Sequence, residues 1–334
     1  MCVIHRWVCN TIGKASGHRT ISANRLGTIE EFSLTTTETT LTSVIARYSV
    51  AAFFILAMVL GASTVYLVVQ GVLPTGVALA SALSASIAGI IMTAVEDGRD
   101  GLKLMLSRLL RWRVGIGYWL FALLFLVPAI LLGSMFNHFF NGDPPSLNNV
   151  TLTFEILPMF IGFFIVAGLG QELGWTGFLT PRLQARYSAL TSCFIRAILG
   201  GIWHLPLFIY SGLQHPALAD FPYSGWIAQK GFLVAIGTLI LMFLIPWSIF
   251  FSWIFNNTRG SLLLVAVLYG AEIWVAYFML CSGINPSNLN NYWGYGAVLV
   301  VVAILIVVTT GSENLSRKNA RIVHSSSSRR IPGR

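Results

Sequence analysis

The stretch GLGQELGWTGFLTPRLQARY, residues 168–187, follows an apolar run long enough to cross a membrane. It puts a carboxylate, Glu172, beside Trp175, with the uncharged Gln171 as its neighbour. An ionised group in hydrocarbon costs at least about 2.5–3.5 kcal/mol. Glu172, at the expected end of that run, therefore needs a partner or a task.

The surrounding chain reads as an integral membrane protein. Its 334 residues are 55% hydrophobic and only 10% charged, and its mean hydropathy is +0.74. A soluble domain carries about 25% charged residues, so this chain lacks the charge to cover a wet surface. The 31 glycines fit membrane helices, where glycine is common. The four cysteines, Cys2, Cys9, Cys193 and Cys281, form no CxxC pair, which argues against a disulfide framework or a zinc knuckle.

A span needs about 20 mostly apolar residues. Eight candidates satisfy this: residues 49–71, 77–95, 116–136, 152–170, 189–210, 230–255, 261–280 and 293–310. The fold class expected is therefore all-α, a polytopic transmembrane bundle of about eight spans. All of the 21 basic residues except Arg196 and Lys230 fall in the head, the tail and alternate connections. The opposite connections carry no Lys or Arg, and hold Asp143 and Asp220. Short basic loops stay in the cytoplasm, so both termini are expected inside. The net charge of +9 is then explained by loop topology, and nucleic-acid binding is not expected, because aromatics interleaved with the basic residues as a stacking platform are not evident.

Residues 1–48 read as a poorly ordered, basic and Thr-rich cytoplasmic head, and 311–334 as a basic, Ser-rich cytoplasmic tail. Residues 49–310 form the membrane domain. GRDGLKLMLSRLLRWRV, residues 98–114, reads as a basic amphipathic helix with Leu102, Met105, Leu106, Leu109 and Leu110 in its apolar stripe. Its arginines can reach lipid phosphates.

Four ionisable residues fall within or at the edge of spans: Glu172, Arg196, His204 and Glu272. They can pair with one another simply to hold the bundle. For His204 the context GGIWHLPLF points further: Gly200 and Gly201 allow close helix approach, and Pro206 frees a backbone carbonyl.

Three segments, GQELGWTGFLTPRLQARY, GGIWHLPLF and WIFNNTRGSLLLVAVLYGAEI, together resemble the CPBP family of intramembrane metalloproteases, which includes the CAAX prenyl endopeptidases and the Abi self-immunity proteins. The resemblance runs over 49–310, with its motif core at 168–275. It implies a hydrolytic centre built from three motifs, EExxxR, FxxxH and HxxxN. In such a centre the first Glu and the motif-two His activate a water, and the third motif steadies an oxyanion or helps bind a divalent metal such as zinc. A carboxylate in an apolar cavity is a good base, and a tetrahedral intermediate needs donors aimed at its oxygen.

The sequence departs from those motifs. Gln171 stands at the first Glu, Thr176 at the Arg and Gly200 at the Phe; Tyr269 and Ile273 stand at the third-motif His and Asn. Glu172 and His204 are retained. A side-chain amide cannot take up a proton near neutral pH, so Gln171 cannot be a general base. Only Glu172 and His204 remain as metal ligands, too few for a catalytic zinc. With Thr176 in place of the Arg, Arg196 is expected to pair with Glu172. Tyr269 keeps a hydroxyl that can face an oxyanion. Glu272, about 100° around the helix from position 273, is expected to face partly away from the old site.

The leading expectation is a catalytically degenerate homologue, a pseudoenzyme without a cofactor, that binds a peptide, a prenylated protein or a membrane-protein partner in an intramembrane cavity. The alternative is an active endopeptidase with a shifted site using Glu172, His204 and Glu272. A transporter is the third reading, against which stands the absence of an internal repeat. The expected location is the plasma membrane of a prokaryote.

Overall fold

A computed structural model of the chain describes residues 48–141, 156–213, 215–218, 222–281, 289–318 and 320–324. Residues 1–47 lie outside the described residues, as do Asp143 and Asp220. All of the regular structure described is helical.

Each of the eight expected stretches is helical over most of its described residues. The helices are α1 (Ser49–Val69), α2 (Leu83–Ser107, entered by a 3₁₀ turn Thr75–Ala82), α3 (Ile116–Leu124) and α4 (Leu126–Asn141). They continue with α5 (Ile156–Phe163), α6 (Ala189–Trp203), α7 (Leu205–Gly212), α8 (Pro222–Lys230), α9 (Phe232–Thr238), α10 (Ile245–Asn257), α11 (Leu262–Cys281) and α12 (Leu289–Thr310). By length and composition, four helical stretches among the described residues are long and apolar enough to cross a membrane: α1, Val77–Leu110, Phe232–Asn257 and Tyr292–Thr310. Two bent pairs, α3 with α4 (42°) and α6 with α7 (41°), raise the number to six. The second bend falls at His204, where Pro206 cannot donate to the helix ladder.

The helix bearing Glu172 does not stop near residue 170. After α5 it widens into a π-helix at Phe164–Leu169, tightens over Gly170–Glu172, widens again at Leu173–Leu179 and ends with Thr180–Gln184. Glu172 thus sits mid-helix and only 2% exposed, rather than at a helix end. π-helical turns are rare and gather at functional sites. Side-chain hydroxyls cap this one: Ser86 donates to the Leu169 carbonyl (2.7 Å) and Thr180 to that of Trp175 (2.9 Å).

Backbone-close crossings lock this run in place. A Cβ on Gly174 would lie 2.0 Å from the Ala85 carbonyl oxygen of α2, and one on Gly168 would lie 2.3 Å from that of Ala266 on α11. Gly200 and Gly201 play a smaller part than expected, since they face the side chains of Leu244 and Ile240 rather than backbone.

Large apolar side chains such as Ile55, Val59, Leu233 and Val308 point outward and exposed, as lipid-facing positions require. With the apolar helices, this makes the chain an integral membrane protein. Gly98, at φ +61°, kinks α2 and separates the amphipathic segment from the span before it. Met105 is buried there, while Leu106 and Leu110 are exposed. Arg108 does not reach outward; it is buried with its guanidinium 5.3 Å from the Phe255 ring centre. Arg111 donates to the Arg259 carbonyl, and Arg259 to that of Arg113 (3.1 Å).

The start of the tail folds back on the bundle. Asn256 and Asn257, at the end of α10, donate to the Asn314 and Leu315 carbonyls, each at 2.9 Å. Ile322 N–H donates to Asn256 Oδ1 (3.1 Å), and His324 N–H to the Pro181 carbonyl (3.0 Å).

Candidate functional site

The helices enclose a cavity of about 320 Å³. Gln171, Glu172, Arg196, His204, Tyr269 and Glu272 all line it. Thus every residue singled out from the sequence as a site candidate faces one space. Ile273 is the exception, because its side chain lies outside the described residues.

Glu172 is fully engaged. Arg196 Nη2 lies 2.8 and 2.9 Å from its two carboxylate oxygens. Thr176 donates its hydroxyl to Glu172 Oε2 and accepts from Arg196 Nη1 at 3.1 Å. The Arg196 guanidinium also stands 4.9 Å from the Phe251 ring centre. A buried carboxylate is tolerable only with such a full set of partners. The lost arginine of the EExxxR pattern is replaced in charge by Arg196 from α6 and in hydrogen bonding by Thr176.

Gln171 is also held. The Tyr269 hydroxyl donates to its Oε1 at 3.0 Å. Position 171 thus pairs directly with position 269, the first-motif substitution with the third-motif one. His204 Nδ1 lies 2.7 Å from the Gly200 carbonyl. That contact requires Nδ1–H as donor, which leaves Nε2 as an acceptor on the neutral ring. The neighbouring Trp203 indole donates to Ser84 (3.1 Å) and fixes the bend from the other side.

Glu272 lines the cavity too, rather than facing away. Tyr269 and Glu272 are i,i+3 neighbours on α11 and share one helix face, so a cavity reaching Tyr269 reaches both. Glu272 makes no hydrogen bond or ion pair with any described residue.

Sequence reading missed the cavity's walls. Tyr223 and Trp226 of α8 and Tyr292 of α12 form an aromatic cluster, with Tyr223–Trp226 ring centres 5.7 Å apart and Trp226–Tyr292 centres 5.2 Å apart. The signal available was the density of Trp and Tyr near the expected outer ends of spans. It also missed Arg182, which leaves the loop role assigned to it. Its guanidinium bonds Glu96 Oε2 (3.0 and 2.8 Å), Asp97 Oδ2 (2.8 Å) and the Phe178 carbonyl (3.1 Å).

The metal question has a geometric answer. Glu172's oxygens are taken by Arg196 and Thr176, Gln171's by Tyr269, and His204 offers one nitrogen. With the Glu272 carboxyl group, that leaves two His, Asp or Glu side chains in the cavity, His204 and Glu272, with unengaged donor atoms among the described residues, fewer than the three protein ligands of a catalytic zinc. The one group of three His, Asp or Glu residues among the described residues with ligand atoms within 4.8 Å of one another is Glu96, Asp97 and His324. Arg182 already occupies its centre, so it reads as an ion-pair network.

Residues 153–275 match the family model described as type II CAAX prenyl endopeptidase Rce1-like. That interval contains all three motif segments and the Glu172–Arg196 pair. Over that interval, somewhat over a third of its length, the chain is similar to the CPBP family. A curated relative, CAAX prenyl protease 2 of Methanococcus maripaludis, is 27% identical over 106 residues, covering 31% of this chain and 35% of the relative. The matched part thus spans about a third of that protein's length. Gln171, Thr176, Tyr269 and Ile273 stand within the matched interval.

Proposed function

We propose that this chain is a catalytically silent CPBP protein that binds, and does not cleave, a ligand or membrane partner in its cavity. The observation that carries the reading is the Tyr269–Gln171 hydrogen bond beside the closed Glu172–Arg196–Thr176 network. Water activation needs a proton acceptor poised on the water. Gln171 has none to offer, and Glu172 is committed to its ion pair.

A second reading has its own support. His204 keeps Nε2 as an acceptor, and Glu272 shares the cavity with it and is unpaired among the described residues. Together they form an alternative acid–base pair for a rebuilt endopeptidase. Peptide cleavage decides. The purified chain is assayed on prenylated and unprenylated peptides beside His204→Ala, Glu272→Gln and the triple variant Gln171→Glu/Tyr269→His/Ile273→Asn. The silent reading expects turnover at most in the triple variant. Wild-type turnover abolished by His204→Ala replaces it with the second reading.

The alternation of basic loops supports an orientation with both termini in the cytoplasm, and the expected setting is the plasma membrane of a prokaryote.

A further inference from the structure

The cavity is not charge-balanced. Glu172 and Arg196 cancel as a direct pair at 2.8 Å. His204 donates Nδ1–H to the Gly200 carbonyl, and its Nε2 has no partner among the described residues. Among the described residues, no Lys and no other Arg lines the space. Glu272 is therefore the one carboxyl group in the cavity without a partner among the described residues. It lies about 15 Å along the axis of α11 from its start, half the thickness of the hydrocarbon layer. A carboxyl group buried without a partner is stable as a carboxylate only when a cation joins it.

Part of the same lining is aromatic. Tyr223, Trp226 and Tyr292 come from two different helices and touch ring to ring, and Phe243 adjoins Tyr292 at 6.0 Å. Clustered aromatic faces beside a carboxylate are what a desolvated organic cation requires: the ring quadrupole attracts positive charge and the rings cover its apolar surface. A cavity of about 320 Å³ sits at the small end of ligand sites.

We propose that the cavity is a binding site for a monocationic, mostly apolar small molecule, an amine or quaternary ammonium on a hydrophobic body, with Glu272 as counter-ion and Tyr223, Trp226 and Tyr292 as its aromatic seat. The net charge left by the Glu172–Arg196 pair selects against anions, and against zwitterionic lipid headgroups, whose phosphate would enter with the ammonium. This inference goes beyond the silent reading and does not depend on it, because a rebuilt endopeptidase would retain the same cavity charge.

The test uses the full chain purified in a non-ionic detergent. Benzyltrimethylammonium is titrated beside neopentylbenzene, its neutral carbon isostere, and beside a soluble short-chain phosphatidylcholine. Binding is read by tryptophan fluorescence and by the shift in thermal unfolding. The expected result is saturable binding of the cation, roughly tenfold or more tighter than the isostere, and weak binding of the lipid. Glu272→Gln, which removes a lone charge and leaves the Glu172–Arg196 pair intact, should abolish the preference over the isostere. Trp226→Leu should weaken the cation several-fold while changing the isostere less. Equal binding of cation and isostere, no saturable binding of the cation, or an undiminished preference in Glu272→Gln would each overturn the proposal. Tighter binding of the phosphatidylcholine than of the free cation would overturn the small-molecule assignment. Peptide cleavage is measured separately, so failure here leaves the silent reading standing.

Discussion

At the scale of single residues, the site is a set of paired substitutions. Arg196 and Thr176 together do what an arginine four residues after Glu172 does in the EExxxR pattern, and Tyr269 holds Gln171. Removing one partner of a buried ion pair costs about 3–5 kcal/mol, whereas removing both can be near neutral. Arg196→Met should therefore lower the unfolding temperature in detergent markedly, and Glu172→Gln/Arg196→Met should recover most of the loss. If the single and double variants melt together, the pair contributes nothing. The Arg196–Glu172 pairing was legible in the sequence because few cations were available inside the membrane. The Gln171–Tyr269 bond was not, because it joins residues 98 positions apart through a helix whose π-helical turns shift the phase of every side chain beyond them.

At the scale of elements, glycines and the tail decide the packing. Gly174 meets backbone and Gly200 meets a side-chain methyl 3.5 Å away. Gly174→Ala should thus fail to give a monodisperse folded protein, while Gly200→Ala should retain one; size-exclusion profiles and melting curves compare them directly. Close crossings were expected at Gly200 and Gly201 instead, since sequence alone does not reveal which glycine faces backbone. The tail carries a pH dependence. His324 Nε2 stands 3.6 Å from Asp97 Oδ1, with Arg182, Glu96 and Arg108 nearby. Burial, and then the positive charges of Arg182 and Arg108, hold His324 below the usual histidine range against the pull of Asp97. A histidine whose pKa falls on docking favours the docked tail fully above its free value of about 6.5. That contribution is lost as pH falls through the lowered value. A spin label at Val323→Cys should become more mobile on acidification below the usual histidine range, and His324→Asn should flatten the response.

At the scale of the whole molecule, the hydropathy pattern located every helix stretch that spans or nearly spans, because runs of about 20 apolar residues have few other uses. It missed the bends, which arise at a proline and at short breaks, and it ended the Glu172 helix too early. Basic-loop alternation predicts both termini inside: Val72→Cys and Arg317→Cys, each in a cysteine-free background, should label from outside and inside, respectively, with a membrane-impermeant maleimide. Labelling of both from one side would reverse or break that topology. One further connection follows from α10. The helix lines the cavity through Trp247, Ser248 and Phe251, and its last two asparagines grip the returning tail. The chain terminus is thereby mechanically geared to the cavity wall. A load, tether or docking protein acting on residues 314–322 would tug on the very rod that forms one side of the chamber, so that segment offers a handle on the cavity from outside it.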